Sequence, residues 1–274
     1  MKVAVLGSIN IDLIAGVERF PSPGQTLTGH GFRREPGGKG ANQAVAAARL
    51  GADVSMFGAV GRDADGDVAI AALRQAGVDV QSIRRSVSPT GVALIITDGS
   101  GENQIVVCPG ANAEAVPPAE ADFDVLIAQL EIPVETVEAA FLATEAFTVL
   151  NASPARSLPE SLVRRADLIV VNEHEYAAID GLHKARLVVV TYGSLGSALF
   201  ENGERRFTVP AQQTSVVNSV GAGDAYCAAV VLGLAAGNDP RSALMTASAV
   251  GAAAVADPAS QPALLTFDRY EVTA

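Results

Sequence analysis

The sequence predicts an α/β fold: a parallel sheet covered by helices on both faces, with a small second sheet beside it. Three observations carry the prediction. Short, continuously apolar, β-branched runs recur along the chain, as strands buried on both faces require. Ala- and Leu-rich segments with helical spacing lie between many of them. Two stretches break that rhythm: residues 11–36 alternate apolar and polar with no helix between the strands, and residues 89–109 form a hairpin pattern.

In order, strands are expected at Val3–Leu6, Val54–Phe57, Val92–Ile96, Ile105–Cys108, Val125–Ile127, Thr148–Leu150, Leu168–Val171 and Leu187–Val190. Helices are expected at Gly40–Leu50, Gly66–Ala76, Pro133–Thr144 and Leu158–Arg164. After Val190 the pattern becomes an apolar run Leu195–Phe200, a turn at Asn202–Gly203, a second run Arg206–Val209, and then two long Ala-rich helices. Residues 11–36 hold Pro21, Pro23, Gly24, Gly29 and Gly31. Residues 89–109 read as a hairpin around Asp98–Gly99–Ser100–Gly101, a turn tolerant of positive φ. Together they are expected to form a small antiparallel sheet beside the carboxyl ends of the parallel strands, placed to cover a ligand there. The chain has no repeat and no low-complexity linker, so one domain over residues 1–274 is expected.

Composition narrows the function. The 274 residues are 49% hydrophobic and 18% charged, which is too apolar for disorder, and a chain of this mass buries roughly 70% of its surface on folding. The 19 Lys and Arg against 30 Asp and Glu give a net charge of −11 with no concentrated basic face, which argues against nucleic acid. No segment has the length or apolarity of a signal core or a membrane span, so a soluble, cytoplasmic protein is expected. Cys108 and Cys227 sit in apolar contexts without CxxC spacing. They read as small core hydrophobes in a reducing compartment.

Several runs carry chemistry. Asn218–Ser219–Val220–Gly221–Ala222–Gly223–Asp224 enters the Ala-rich helix expected from Ala225. Gly221 and Gly223 let backbone N–H groups converge at a helix start, an anion hole reinforced by the helix dipole. Asp224 at its edge can take a proton from an attacking hydroxyl, although Asp is also a common helix cap. Pro36–Gly37–Gly38–Lys39–Gly40–Ala41–Asn42 offers a second close approach at a helix start, with Lys39 and Asn42 as polar contacts. It is not a Walker A loop, because Gly rather than Ser or Thr follows the Lys. Ser8–Ile9–Asn10–Ile11–Asp12 places Asn10 and Asp12 on one face, where they can grip vicinal hydroxyls. Asn172–Glu173–His174–Glu175 and Thr191–Tyr192–Gly193–Ser194–Leu195–Gly196 each follow a strand directly. His174 reads as a surface residue, and Asn151–Ala152–Ser153 as an inert glycosylation sequon.

Taken together, Gly37–Leu50, Val217–Ala225, Asn10 and Asp12 resemble the ribokinase (PfkB) family of carbohydrate kinases at both of its signature regions. Pro109–Gly110–Ala111–Asn112, Gln129–Leu130–Glu131 and Asn172–Glu175 fall in the family's order, so the resemblance spans essentially the whole chain. It implies a three-layer α/β/α core with a β-sheet lid, and phosphoryl transfer from ATP to a sugar hydroxymethyl group, with D-ribose as the leading acceptor. Carried over by position, Asp224 matches the base, and the backbone of Gly221, Ala222 and Gly223 the anion hole. Asn10, Asp12, Gly38, Lys39, Asn42 and Glu131 match the sugar contacts. Asn172 and Glu175 match the element that orders Mg²⁺, reached through water, and phosphate; Thr191, Gly193, Ser194 and Gly196 match the nucleotide-side loop. Relatives often pair their lids, so a homodimer is expected.

The sequence departs from the family in three ways. Asn218–Ser219 stands where Asp-Thr is usual, and Ala259–Ser260–Gln261–Pro262–Ala263 stands where Gly-Ala-Gln-Pro-Ser is usual. Both regions bear on the family's monovalent-cation loop, so a weakened site at Asn218 and a doubtful potassium dependence are expected. The chain is also shorter than its relatives near Thr144–Phe147 and Gly181–Ala185, away from the motifs. A kinase of the same class for a nucleoside, a ketose or deoxyribose, and a sugar- or nucleotide-binding regulator without turnover, remain as alternatives.

Overall fold

Strand β1 (Lys2–Leu6) explains why the sheet needs two covers: Val3 and Val5 enter one apolar core, while Ala4 and Leu6 enter another on the opposite face. The chain continues through β2 (Asn10–Gly16), β3 (His30–Gly37), α1 (Lys39–Arg49), β4 (Asp53–Gly61), α2 (Ala64–Gln75), β5 (Ile83–Ser86), β6 (Gly91–Thr97) and β7 (Asn103–Cys108). Then come β8 (Val125–Gln129), α3 (Val134–Leu142), β9 (Phe147–Asn151), α4 (Glu160–Arg165), β10 (Leu168–Asn172), α5 (Glu173–Ala178) and β11 (Leu187–Thr191). The chain closes with β12 (Ser197–Glu201), β13 (Glu204–Val209), α6 (Ala222–Ala235) and α7 (Pro240–Val255). The computed structural model describes residues 1–99, 103–118 and 122–272; Ser100 and Gly101 of the expected turn lie outside the described residues.

The main sheet has nine strands in the order β13-β12-β11-β10-β9-β8-β1-β4-β5. It is parallel except at β12 and β13, which form an antiparallel edge. Helices α1, α2, α6 and α7 pack into the core on one face, α3 and α4 into the core on the other. Helix α6 is buried continuously from Asp224 to Gly233, so its sequence is apolar all round and has no stripe. β5 was not expected: Ile83–Arg84–Arg85–Ser86 is short and half charged, and only pairing with Gly58–Gly61 of β4 makes it a strand. Short α5 was missed as a helix as well, since one capping box between Asn172 and Glu175 fixes it.

The small sheet has four strands in the order β3-β2-β6-β7. Its two hairpins are antiparallel, but the central pair β2–β6 is parallel, which corrects the expectation of an antiparallel sheet. A parallel pair needs a long crossover, and the segment α1–β4–α2–β5 between the two hairpins supplies it. One face of the sheet presents Asp12, Ala93, Ile95, Ile105 and Val107 toward a cleft. Leu94 and Val106 lie on the other face and are exposed. Cys108 ends β7 and is exposed rather than a core residue, because it occupies that outer face of an edge strand; Cys227 is buried as expected. Among the described residues no helix is long and apolar enough to cross a membrane.

Candidate active site

The parallel strands β8, β9, β10 and β11 deliver polar side chains to one edge of the main sheet at their carboxyl ends. Gln129 of β8 lies beside Asn151 of β9, and Asn172 of β10 beside Thr191 of β11. That edge is where open α/β sheets bind ligands. A cleft of about 400 Å³ opens there, with Asn10, Asp12, Gly38, Lys39, Asn42 and Glu131 on one side, the small sheet above, and Asn172, Glu175, Thr191, Gly221, Gly223 and Asp224 on the other.

The first group is fixed where α1 begins. Gly38 has φ +92°, and a Cβ there would stand 2.8 Å from the Asn10 nitrogen and 2.9 Å from the Ser8 oxygen, so only glycine lets the two segments meet. Glu131 Oε2 accepts from Ser8 Oγ at 2.5 Å and from the Lys39 backbone N–H at 3.2 Å. Asn112 Nδ2 donates to Asn10 Oδ1 at 2.6 Å, and Asn112 Oδ1 accepts from the Ile9 N–H at 2.9 Å, locking the strand that carries Asn10.

Asp12 is buried, and its Oδ1 has no hydrogen-bond partner. A Cβ on Gly37 would fall 2.2 Å from this carboxylate, so the glycine leaves room for it. Burial first, then the charges of Glu131, Asp224 and Glu35, push the Asp12 carboxyl up to about 7, against the pull of Lys39. Burial works against the Lys39 ammonium too, but the surrounding carboxylates of Asp224, Glu131 and Glu175 outweigh it and hold its pKa above the ordinary value. The cleft thus concentrates acidic oxygens around one cation.

Helix α6 starts at Ala222, three residues earlier than expected, so Asp224 sits within the first turn and the cap position belongs to Gly221. Gly221 has φ +79°, and a Cβ there would lie 2.0 Å from the Ser260 carbonyl oxygen. The helix start therefore presses directly on the C-terminal segment. Asn42 Nδ2 donates to Asp224 Oδ2 at 3.1 Å, and Gln43 Nε2 donates to Asp224 Oδ1 at 3.0 Å. Burial pushes the Asp224 carboxyl up; Lys39 and these two amides pull it back toward the charged form.

Beyond the helix start lies a second cleft of about 340 Å³, which shares Thr191, Ser219 and Gly223 with the first. Gly193, Ser194, Gly196 and Ala222 line it together with Val216, Tyr226, Ala252 and Val255. Tyr226 donates to Ser197 Oγ at 2.7 Å, which satisfies its buried hydroxyl. Asn172 and Glu175 cap α5 reciprocally, each side chain accepting from the other's N–H at 2.8 Å.

These observations meet the comparisons with known proteins at one point. The pfkB family carbohydrate kinase description matches residues 1–266. The chain belongs to the pfkB family of carbohydrate kinases. It is 38% identical to the ribokinase of Lactococcus lactis over 252 residues, covering 85% of this chain and 83% of that one. It is 32% identical to the ribokinase of Bacillus subtilis over 290 residues, covering 98% of each. Among solved structures it is similar to the Arabidopsis thaliana ribokinase complexed with ribose and ATP, with a TM-score of 0.86, 28% identity, and coverage of 98% of this chain and 96% of that one.

Within this pfkB member, every residue that the family resemblance assigns to the site lines one of the two clefts except Asn218. Asn218 lies behind the helix start, where its Nδ2 donates to the Pro258 carbonyl at 2.9 Å and its Oδ1 accepts from the Val220 N–H at 3.1 Å. Gln43 carries no local signal and Asn151 reads as an inert sequon, yet Gln43 Nε2 donates to Asp224 and also to Asn151 Oδ1 at 3.0 Å, so Asn151 reaches Asp224 through Gln43. Gln129 and Asn112 stood in the family's order without a role. Tyr226, Ala252 and Val255 of the second cleft had no local signal, being ordinary residues of helices α6 and α7. His174 is an exposed surface residue.

Proposed function

We propose that the paired clefts transfer the terminal phosphoryl group of ATP to the 5-hydroxymethyl group of D-ribose. The observation that carries this reading is the meeting of the two clefts at Gly223, directly before the buried Asp224. A hydroxyl held in the first cleft and a phosphate held in the second would face each other across the start of α6.

In this reading Asn10, Asp12, Gly38, Lys39, Asn42 and Glu131 bind the sugar. The orphaned Asp12 Oδ1 accepts from a sugar hydroxyl, which explains an otherwise costly buried oxygen. Asp224 takes the proton of the attacking hydroxyl as its oxygen bonds to phosphorus, and the bond to the departing ADP oxygen breaks. First-turn N–H groups of α6, at Ala222 and Gly223 after Gly221, would face the charge that builds on the transferring group. Such donors lack intrahelical partners, and the Ala222 N–H makes only a long 3.4 Å bond to the Ser219 carbonyl. Lys39 adds a positive charge. Phosphoryl transfer asks a protein chiefly for this positioning and neutralisation.

Thr191, Gly193, Ser194 and Gly196 hold the nucleotide, with its base against Val216, Tyr226, Ala252 and Val255. Mg²⁺ bound with the nucleotide would neutralise phosphate oxygens. Among the described residues no group of three or more His, Cys, Asp or Glu is arranged as a metal cage. Glu175 with Asn172 suits a hydrated ion held mainly by phosphates. Asn218 offers a monovalent cation little, since both ends of its amide already have protein partners.

The small sheet, made from the described parts of about residues 11–36 and 89–109, serves as a lid over the sugar within a single unit. Its exposed outer face and edges support pairing with a second copy. Light scattering at micromolar concentration would then give twice the chain mass, and a monomer would remove that part of the reading. The central test is ADP release with a panel of D-ribose, deoxyribose, ketoses and nucleosides. Turnover fastest with D-ribose supports the assignment; a faster nucleoside or ketose replaces the acceptor, and binding without turnover makes the protein a regulator.

A further inference from the structure

Asn42 and Gln43 both donate to Asp224, yet they are placed differently. Asn42 lines the cleft, and its Oδ1 accepts from Gln261 Nε2 at 3.2 Å. Gln43 is fully buried and does not itself line the cleft; it meets the cleft only through Asp224 and Asn151, which do. Each of its polar atoms is engaged: Nε2 donates to Asp224 Oδ1 and to Asn151 Oδ1, and Oε1 accepts from Gln129 Nε2 at 2.7 Å.

The sense of this chain of amides is set from its carboxylate end. An ionised carboxylate only accepts, so the Gln43 atom facing Asp224 must be the nitrogen, and its oxygen must then face Gln129. Gln129 has to present its own nitrogen there, which turns its Oε1 inward, where it is buried without a partner. Gly7 makes the seat: a Cβ at that position would stand 1.9 Å from Gln129 Oε1. A buried oxygen left unsatisfied is a cost, and it accompanies an arrangement that aims a donor at Asp224.

We propose that Gln43, held in orientation by Gln129, is a positioning residue that keeps the Asp224 carboxyl turned toward the cleft and ionised in the substrate complex. Donation to the charged form opposes the burial that pushes this carboxyl up. Lys39 at the start of α1 pulls the same way, Glu131 after β8 pushes it up, and Asp12 of β2 and Cys227 of α6 are the other titratable groups that feel its charge. Asn42 is poorly suited to do this alone, because it also faces the ligand space and ties down Gln261. The inference rests on the reading of Asp224 as the base.

The test is the pH dependence of kcat at saturating sugar and ATP for the unmodified protein, Gln43→Leu, Gln129→Met and Asp224→Asn. Under saturation the profile reports groups of the bound complex. Gln43→Leu should move the acid limb to higher pH by about one unit and leave sugar affinity by calorimetry unchanged, since a lost donor raises the carboxyl. Gln129→Met should move it in the same direction by less. A lower plateau with an unmoved limb in either variant would make Gln43 merely structural and overturn the proposal, as would an unchanged rate in Gln43→Leu. If Gln43→Leu does not fold, Gln129→Met carries the test one hydrogen bond farther out. Full turnover in Asp224→Asn would instead remove the base reading itself, so the two failures are separable.

Discussion

The two clefts solve opposite problems with neighbouring parts of one fold. The first crowds Asp12, Lys39, Glu131, Glu175 and Asp224 around a small volume, with Ser8 of the β1–β2 connection donating to Glu131 and Asn42 and Gln43 of α1 donating to Asp224. The second is lined by Val216, Ala222, Tyr226, Ala252 and Val255 with a few hydroxyls. Buried charge demands partners with fixed geometry, from the protein or from a ligand, so the charged side chains of the first cleft are closely specified. An apolar slot needs only shape, which many small residues can provide. Changes in the first cleft should therefore be specific and large, and changes in the second graded and confined to one ligand.

The sharpest break comes at Asp224. Asp224→Asn keeps the size of the side chain but removes proton acceptance, and Asn42 and Gln43 would then face an amide instead of a carboxylate. The expected outcome is a loss of about 10²–10⁴-fold in kcat, with the fold and sugar binding retained by circular dichroism and calorimetry. An equal loss from a change in the apolar cleft would collapse the distinction between the two.

Asp12 tests the same cleft at its sugar side. Asp12→Ala should weaken sugar binding by about 1–3 kcal/mol and leave ATP binding nearly unchanged; equal losses for both ligands would make Asp12 structural. The pH dependence has a definite sign. The folded carboxyl is pushed up to about 7, above its unfolded value of 3.8, so the free protein binds an extra proton between those values and gains stability as pH falls from 7 toward 4. Hydroxyls donating to the ionised form lower that pKa, so sugar binding near pH 6.5 should release a proton, seen as a binding enthalpy that depends on the buffer. Asp12→Ala should diminish both effects.

The apolar cleft is probed by Ala252→Phe, which fills space beside Val255 and Tyr226. ATP affinity should fall about tenfold, a cost of the size overpacking brings, while sugar affinity by calorimetry stays put. A loss of sugar affinity as large as that of ATP would mean the clefts are not separable.

How much of this was legible in the sequence follows the same division. The charged cleft is written in contiguous runs, because a helix start or strand end places neighbouring residues together: Gly38 to Asn42, Asn10 to Asp12, and Gly221 to Asp224. The strands of the main sheet were legible because burial on both faces leaves unbroken apolar runs such as Leu187–Val190. Gln43 was not, since a polar residue on a helix betrays nothing until tertiary packing turns it against Asp224 and Gln129. Asn151 looked like an inert sequon for the same reason. The parallel β2–β6 pairing was hidden because alternation specifies a strand's faces and not its partner's direction. The apolar cleft was illegible, as its residues come from α6, α7 and the segment before them, with nothing to distinguish them from core.

The smallest expected effect lies at Asn218, which sits behind both clefts and separates charge from geometry. The family resemblance puts a monovalent cation between this loop and the C-terminal segment. Here the Asn218 amide spans the same two segments itself, donating to the Pro258 carbonyl and accepting from the Val220 N–H. An acid at this position would attract a nearby cation by about 4 kcal/mol at about 4 Å and an effective dielectric of 20, less the cost of burying the charge. The neutral amide forgoes that attraction and supplies a covalently attached donor in its place. The C-terminal segment offers little in compensation, because the Asp257 carboxylate is turned back onto its own loop, accepting from the Ala259 N–H at 2.8 Å and the Ala263 N–H at 3.0 Å. Ala263 also lacks the hydroxyl of the family's usual Ser. Potassium should therefore stimulate the unmodified protein weakly or not at all, and Asn218→Asp, which loses the donation to Pro258 and gains the charge, should become more responsive. The measurement is initial rate against KCl with tetramethylammonium chloride holding ionic strength constant, alongside the melting temperature in the same salts. Strong, saturable activation of the unmodified protein would show that backbone carbonyls bind the cation without an acid, and that the amide bridge yields to it.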